Sequence, residues 1–278
     1  MQKVLLTGSG GFVGQNLKPF LENKGFKVFS PRSSEYNFSD LKTVKKIVEE
    51  FNPDIFILAG FYGINTHVLP QDIFEKNLQI LNNFISVSAG KPVFTFGSGA
   101  EFDKSKHIVS AADEGWKSFP PADLYGRAKY LISQEIKKYP NVFNLRLFGV
   151  YGPHEINNRF ITHAINCVLK NEPITIRQNV FFSYLEVGDL CLLVYHFLQH
   201  QPKHKFINMV PPSKVDLKTL AGIVNRIAGT NLPIIIAKDG LANEYTGSPE
   251  NLLREIPNFD FTPLEIGIKK LYEFIKNN

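Results

Sequence analysis

The chain predicts an α/β fold: a Rossmann-type doubly wound parallel sheet with a small C-terminal α/β substrate lobe. Three observations carry this reading. Short apolar strands alternate with helix-length amphipathic stretches through the first half, the pattern of a parallel sheet covered on both faces. A glycine-rich turn follows the first strand directly, and after Pro153 the alternation loosens into mixed short strands and helices.

The first strand, Lys3 to Leu6, runs into Thr7-Gly8-Ser9-Gly10-Gly11-Phe12-Val13-Gly14 and then an amphipathic helix to about Lys24. A turn this tight needs one residue without Cβ, close approach of a pyrophosphate needs another, and tight packing of helix on strand needs a third. Gly8, Gly11 and Gly14 meet that need and aim the helix N-terminus at phosphate, with Gly10, Phe12 and Val13 around it. Further strands follow at Lys27 to Phe29, Asp54 to Leu58, Pro92 to Phe96 and Val142 to Leu147. The stretches between them are long enough for the helices of right-handed crossovers. Near the end, Thr262-Pro263-Leu264-Glu265 reads as a helix start, with Thr262 as cap, Pro263 in the first turn and Glu265 closing a capping box. Residues 1–155 with about 181–205 are expected to form the dinucleotide-binding domain, and 156–180 with 206–278 the small lobe. A ligand cleft is expected between them.

Composition narrows the function. Of 278 residues, 44% are hydrophobic and 21% charged, which excludes disorder, and no apolar run approaches the roughly 20 residues of a membrane helix. The apolar stretch before Gly8 is too short for a signal peptide, so a cytoplasmic protein is expected. Cys167 and Cys191 lie far apart without metal-type spacing and read as small buried hydrophobes, so no disulfide and no metal site are expected. A net charge of +5 suits phosphorylated ligands. The basic residues are scattered and form no arm for nucleic acid.

Cofactor choice is tested at the end of the second strand, where an acidic side chain would hold the ribose 2′-hydroxyl of NAD. Here Arg32 stands in that place, beside Ser33 and Ser34, a set that could bond a 2′-phosphate. NADP(H) is thus favoured over NAD(H), although a solvated loop arginine would look the same.

Leu124-Tyr125-Gly126-Arg127-Ala128-Lys129 opens a helix and places Tyr125 and Lys129 one turn apart on one face. A tyrosine with its ordinary pKa near 10 transfers protons poorly at neutral pH, and a nearby ammonium lowers that pKa. Ser98 follows the fourth strand at its carboxyl end, where open α/β sheets bind ligands. Its hydroxyl could hold a substrate oxygen.

With these residues together, the sequence resembles the extended short-chain dehydrogenase/reductases, also called NAD-dependent epimerase/dehydratases, which act on nucleotide-linked sugars. The resemblance implies that Asp40 and Leu41 lie on the adenine side, that Leu58-Ala59-Gly60 is the cofactor-facing turn, and that Asn77 is the family's helix asparagine. Phe148 and Val150 fall in Leu145-Arg146-Leu147-Phe148-Gly149-Val150-Tyr151-Gly152-Pro153, which resembles the family's segment after the catalytic helix, and Leu185 to Leu190 resembles its later strand-to-helix turn. Ser98, Tyr125 and Lys129 match its catalytic set: Tyr125 would protonate a ketone oxygen as the nicotinamide delivers hydride, Ser98 would orient that oxygen, and Lys129 would tune Tyr125 and hold the nicotinamide ribose. A homodimer is likewise implied.

Within the family, Phe61-Tyr62-Gly63-Ile64-Asn65 with the stretch from Asn77 to Asn82 resembles the GDP-L-fucose synthases, which epimerise and then reduce. Their epimerising cysteine corresponds to Ala100 here and their histidine falls near Phe160, so a 4-ketoreductase of deoxysugar and surface-polysaccharide synthesis is the better reading. Gly99-Ala100 also replaces the Asp-Glu pair of the dehydratases. Phe182 stands where many relatives carry an arginine for the substrate diphosphate, and Gly149 replaces an asparagine with the same task. Arg159, Arg177 and Lys170 are the nearby candidates for that charge, and Tyr62, Gly99, Ala100 and His154 are the other candidate substrate contacts.

His196, His200 and His204 recur every four residues, but Pro202 should end their helix before His204, so they are set aside as metal ligands. Three functions stay open: an NADP(H)-dependent reductase of a nucleotide-linked 4-keto-6-deoxy sugar, a nucleotide-sugar epimerase that retains NAD, and a regulatory protein that binds a dinucleotide without catalysis.

Overall fold

The computed structural model describes residues 1–63, 70–117 and 120–278. In chain order the elements are β1 (Lys3–Thr7), α1 (Phe12–Asn23), β2 (Lys27–Phe29), α2 (Leu41–Phe51), β3 (Ile55–Leu58), α3 (Ile73–Val87), β4 (Val93–Ser98), β5 (Ile108–Ala111), α4 (Leu124–Ile136) and β6 (Val142–Leu147). There follow β7 (Gly149–Tyr151), α5 (Phe160–Leu169), β8 (Ile174–Asn179), β9 (Phe181–Phe182), β10 (Tyr184–Glu186) and α6 (Val187–Gln199). The last are β11 (Phe206–Met209), β12 (Val215–Asp216), α7 (Leu217–Ala228), β13 (Ile234–Leu241), β14 (Tyr245–Gly247), α8 (Glu250–Glu255) and α9 (Leu264–Lys276).

Six parallel strands form the main sheet in the order β11-β6-β4-β3-β1-β2. The order reverses between β1 and β3, which places the switch-point crevice at their carboxyl ends. The near-continuous apolar strands are explained by cover on both faces. On one face Leu17 and Leu21 of α1 pack with Leu190, Leu193, Val194 and Phe197 of α6. On the other lie Val44 and Ile47 of α2, Leu81, Phe84 and Ile85 of α3, and Ile136 of α4. Each set repeats at helical spacing, so one stripe per helix is removed from water.

A third cluster, including Ile161 and Ile165 of α5, Ile174 and Ile176 of β8, Leu220 and Val224 of α7, and Ile268 and Leu271 of α9, is the core of the small lobe. The expected boundary at 206 is corrected by the sheet. Phe206–Met209 is wholly buried and pairs with β6, while Leu252, Ile256, Phe259 and Phe261 pack in the α1/α6 layer, so both segments belong to the main body.

The start of the last helix is also corrected. Thr262 does not cap it; its backbone N and hydroxyl donate to the buried carboxylate of Asp189 at 2.8 and 2.7 Å, and α9 begins after Pro263 without a side-chain cap. Glu265 instead pairs with Arg226. No helix among the described residues is long and apolar enough to cross a membrane.

Candidate active site

The turn between β1 and α1 is built from backbone. Gly8 has φ +73°, and a Cβ there would strike the backbone of Gly60. A Cβ on Gly14 would collide with the carbonyl of Gly8, which accepts the N–H of Gly11 at 3.0 Å. A Cβ on Gly10 would meet nothing within 4 Å, so that side of the loop is open. No side chain caps α1 and its first turn carries no acid, which leaves the end's N–H groups and positive dipole for an anion. These residues fit the pyrophosphate of a dinucleotide. Phe12 and Val13 stand half-buried at the helix start. Across the switch point, Leu58 ends β3, followed by Ala59 and by Gly60, whose N–H donates to the Thr7 hydroxyl at 3.3 Å.

Two of the expected cofactor residues hold the protein itself. The Asp40 carboxylate caps α2, accepting from the backbone of Lys42 and Thr43 and from the Thr43 hydroxyl at 2.8 Å, and those bonds hold it below the usual carboxylate range. Leu41 is the exposed first residue of that helix. Asn77, buried on α3, exchanges hydrogen bonds with the backbone of Tyr62, N–H to Oδ1 at 2.9 Å and Nδ2 to carbonyl at 3.1 Å, and so fixes the loop after β3. The Tyr62 phenol accepts from Lys76 at 3.2 Å. Ile64 and Asn65 lie outside the described residues. Arg32 is exposed in the turn after β2, its carbonyl accepting from Glu35 and Tyr36.

Parallel pairing sets the ends of β1, β3, β4 and β6 along one edge. Ser98 ends β4 there, and its hydroxyl accepts from Ala100 N at 3.1 Å. The helix with Tyr125 starts on an Asp123 cap, and a Cβ on Gly126 would collide with the Ala100 carbonyl, so this glycine lets α4 settle against the Ser98 turn. Lys129 is buried; its ammonium donates to the Phe96 carbonyl at 2.8 Å and lies 4.5 Å above the Phe61 ring. Burial lowers its pKa to about 8, against the opposing pull of Glu101. The expected lowering of Tyr125 by Lys129 is not what the geometry gives. Burial pushes the phenol up, and the Ser98 hydroxyl, hydrogen-bonded to it, acts in the other direction.

Sequence reading missed the wall opposite Tyr125. Tyr245 of β14 also shares the Ser98 hydroxyl, and its phenol oxygen lies 2.5 Å from where a Cβ on Gly99 would be. Its ring meets Phe148 at 5.1 Å and Phe182 at 5.5 Å, and Phe182 meets Tyr184 at 5.5 Å. Gly99 and Ala100 are buried beneath this wall, and Val150 packs in the α1/α6 core. Nothing local marks Tyr245; it arrives because β14 pairs with β5 and β9.

Arg159 is brought in. Exposed at the start of α5, its charge acts to lower Tyr125, Tyr184 and Tyr245 against burial. Arg177 instead faces outward on β8, next to buried Ile176, and His154 turns its ring edge to Phe274 at 5.1 Å. Glu155, anchored by the Thr162 hydroxyl at 2.8 Å, is pushed up to about 7 by burial, with Arg159 opposing. His196 and His200 share α6 and its cap, and His204 bonds Glu255; no group of three or more metal-ligating side chains occurs among the described residues.

The model of the NAD dependent epimerase/dehydratase family matches residues 4–209. A CDP-abequose synthase of Yersinia pseudotuberculosis is 23% identical over 84% of this chain and 87% of its own. Among solved structures, a GDP-L-fucose synthetase from Naegleria fowleri superposes with TM-score 0.85 at 16% identity, covering 100% of this chain and 93% of the other. A GDP-mannoheptose C4 reductase from Campylobacter jejuni, with NADP bound, gives 0.80 at 19% identity over 99% and 98%. These structural likenesses concern the fold.

Proposed function

Because the chain belongs to the NAD-dependent epimerase/dehydratase family, we propose that it is an NADP(H)-dependent reductase of a nucleotide-linked 4-keto-6-deoxy sugar, of the kind used in surface-polysaccharide synthesis. The observation that carries this is the convergence of Ser98, Tyr125 and buried Lys129 on the sheet edge that also holds the open glycine turn. The NADP-bound C4 reductase and the CDP-abequose synthase support the substrate class. Arg32 supports the phosphorylated cofactor.

The glycine turn would hold the pyrophosphate of a dinucleotide, whose nicotinamide would supply the hydride for the ketone carbon. Tyr125, kept protonated by burial, gives its proton to the ketone oxygen. Ser98 donates a hydrogen bond to the same oxygen and holds it before transfer. Lys129, with a pKa of about 8, is mostly charged at neutral pH and stabilises the phenolate left behind. Arg159 supplies a positive charge for the diphosphate beside an aromatic wall suited to the apolar face of a deoxysugar.

The test is NADPH oxidation, against NADH, with GDP-, dTDP- and CDP-linked 4-keto-6-deoxyhexoses and Tyr125→Phe as control. Turnover with one of them, absent in the variant, is expected; silence across the panel would overturn the reading. Epimerisation is the second reading, favoured by Glu155, whose carboxyl can take or give a proton near neutral pH. Solvent deuterium entering the carbons beside the ketone without net NADPH loss would select it.

A further inference from the structure

Behind Ser98 lies a buried polar network that the chemistry above leaves without a task. Glu101, at the end of the short 3-10 helix Gly99–Glu101, and Arg146, within β6, are both 0% exposed. Burying an ion pair costs about as much as its attraction returns, so such a pair is poorly explained as a source of stability. Its contacts explain it better as a junction.

Glu101 Oε1 accepts from the Ser98 backbone N at 2.9 Å and from Asn144 Nδ2 at 3.3 Å. Its other oxygen, Oε2, accepts from Arg146 Nε at 2.9 Å and from the Ser133 hydroxyl at 2.7 Å, and lies 2.8 Å from Arg146 Nη2 in the ion pair. Ser133 stands on α4 at the same helical spacing that separates Tyr125 from Lys129, so all three share one face. Arg146 Nη1 donates to the Asp113 carbonyl at 2.9 Å and to Asn208 Oδ1 on β11 at 2.8 Å. Asn208 Nδ2 then donates to the carbonyls of Ala111 and Ser248, at 2.8 and 3.3 Å, which end β5 and follow β14. Gly97 admits the carboxylate, since a Cβ there would strike Glu101 and Asn144.

We propose that Glu101 is the positioning residue of this site: its carboxylate fixes Ser98 against the Tyr125–Lys129 face of α4 and, through Arg146 and Asn208, secures the strand that delivers Tyr245. The inference rests on Ser98, Tyr125 and Lys129 being the reacting set. Charge supports it as well. Around Lys129 stand Tyr125 on its own helix, the Phe61 ring, the Phe96 carbonyl of β4 and Glu101; around Glu101 stand Arg146, Asn144 and Ser133. Glu101 raises Lys129 against the burial that lowers it.

Two variants test this. Glu101→Gln keeps the shape and removes the charge, and Ser133→Ala cuts only the tether to α4. With a folded protein confirmed by thermal melting and NADPH binding, Glu101→Gln is expected to lose about 100-fold in kcat with little change in KM, the signature of lost orientation. In ¹⁵N-lysine NMR the Lys129 midpoint, about 8 in the parent, is expected to fall further, the signal being assigned with Lys129→Met. Ser133→Ala is expected to lose about 10-fold in kcat while the Lys129 midpoint stays in place. Parental kcat in Ser133→Ala, or an unmoved Lys129 midpoint in Glu101→Gln, overturns the proposal. A parent that reduces no keto sugar would sink the functional reading instead, and the Lys129 midpoint would still judge Glu101.

Discussion

The ammonium of Lys129 lies 2.8 Å from the carbonyl oxygen of Phe96, two residues before Ser98, and so ties α4 directly to the end of β4. The bond spends the charge on backbone, while burial keeps the phenol of Tyr125 protonated, which suits a proton donor in the reductive direction. As the phenolate forms, the same ammonium is within one helical turn to stabilise it.

Tyr125→Phe should therefore remove the proton and little else. Its ring meets Phe61 at 5.4 Å, a contact the variant keeps. Ketone reduction is expected to fall by about 10²- to 10⁴-fold, with NADPH affinity unchanged by fluorescence titration; near-parental turnover would exclude Tyr125 as the acid.

Lys129 is charged below about 8, so the rate of reduction should decline as pH rises through that value. In Lys129→Met the rate should be lower throughout and that limb should vanish from the pH–rate profile. A limb that persists would belong to another group.

Glu155 gives a stability test whose sign is fixed. Its folded pKa, about 7, is above the ordinary glutamate value of 4.5, so between those values the folded state binds more protons than the unfolded one and stability falls as pH rises. Glu155→Gln cannot lose that proton. It should match the parent near pH 4 and exceed it by about 1–3 kcal/mol at pH 8, read by urea unfolding at both values. Equal curves at pH 8 would mean that the carboxylate is solvated.

The two faces of the glycine turn separate folding from binding. Gly14→Ala places a methyl against the Gly8 carbonyl and is expected to cost about 1–3 kcal/mol along with NADPH affinity. Gly10→Ala meets open space, so its melting temperature should hold while NADPH binding weakens. A Gly10→Ala protein that binds normally would show that the phosphates do not approach that residue.

What was legible in the sequence was local. Gly8, Gly11 and Gly14 sit within one turn, Tyr125 and Lys129 within another, and Ser98 ends a strand that its own apolar run announces. Tyr245 was not legible, because its neighbours come from β5 and β9. Thr262 escapes a local reading for the same reason: a buried carboxylate on α6 outcompetes the local cap. Phe206–Met209 is a four-residue strand with nothing to mark it as the edge of the main sheet rather than part of the small lobe. Arg146 did leave a trace, a charge inside a mainly apolar strand, which buried pairing makes tolerable.

The pairing of β14 with β5 also sets an order of assembly. Gly8 and Gly14 find their partners within the first sixty residues, so the phosphate cradle closes short loops. Tyr245 meets the Ile108 strand only across more than a hundred intervening residues, and so large a closure carries a greater entropic cost and comes late. A chain still emerging during synthesis thus closes the turn that grips a dinucleotide before it has walls around a sugar.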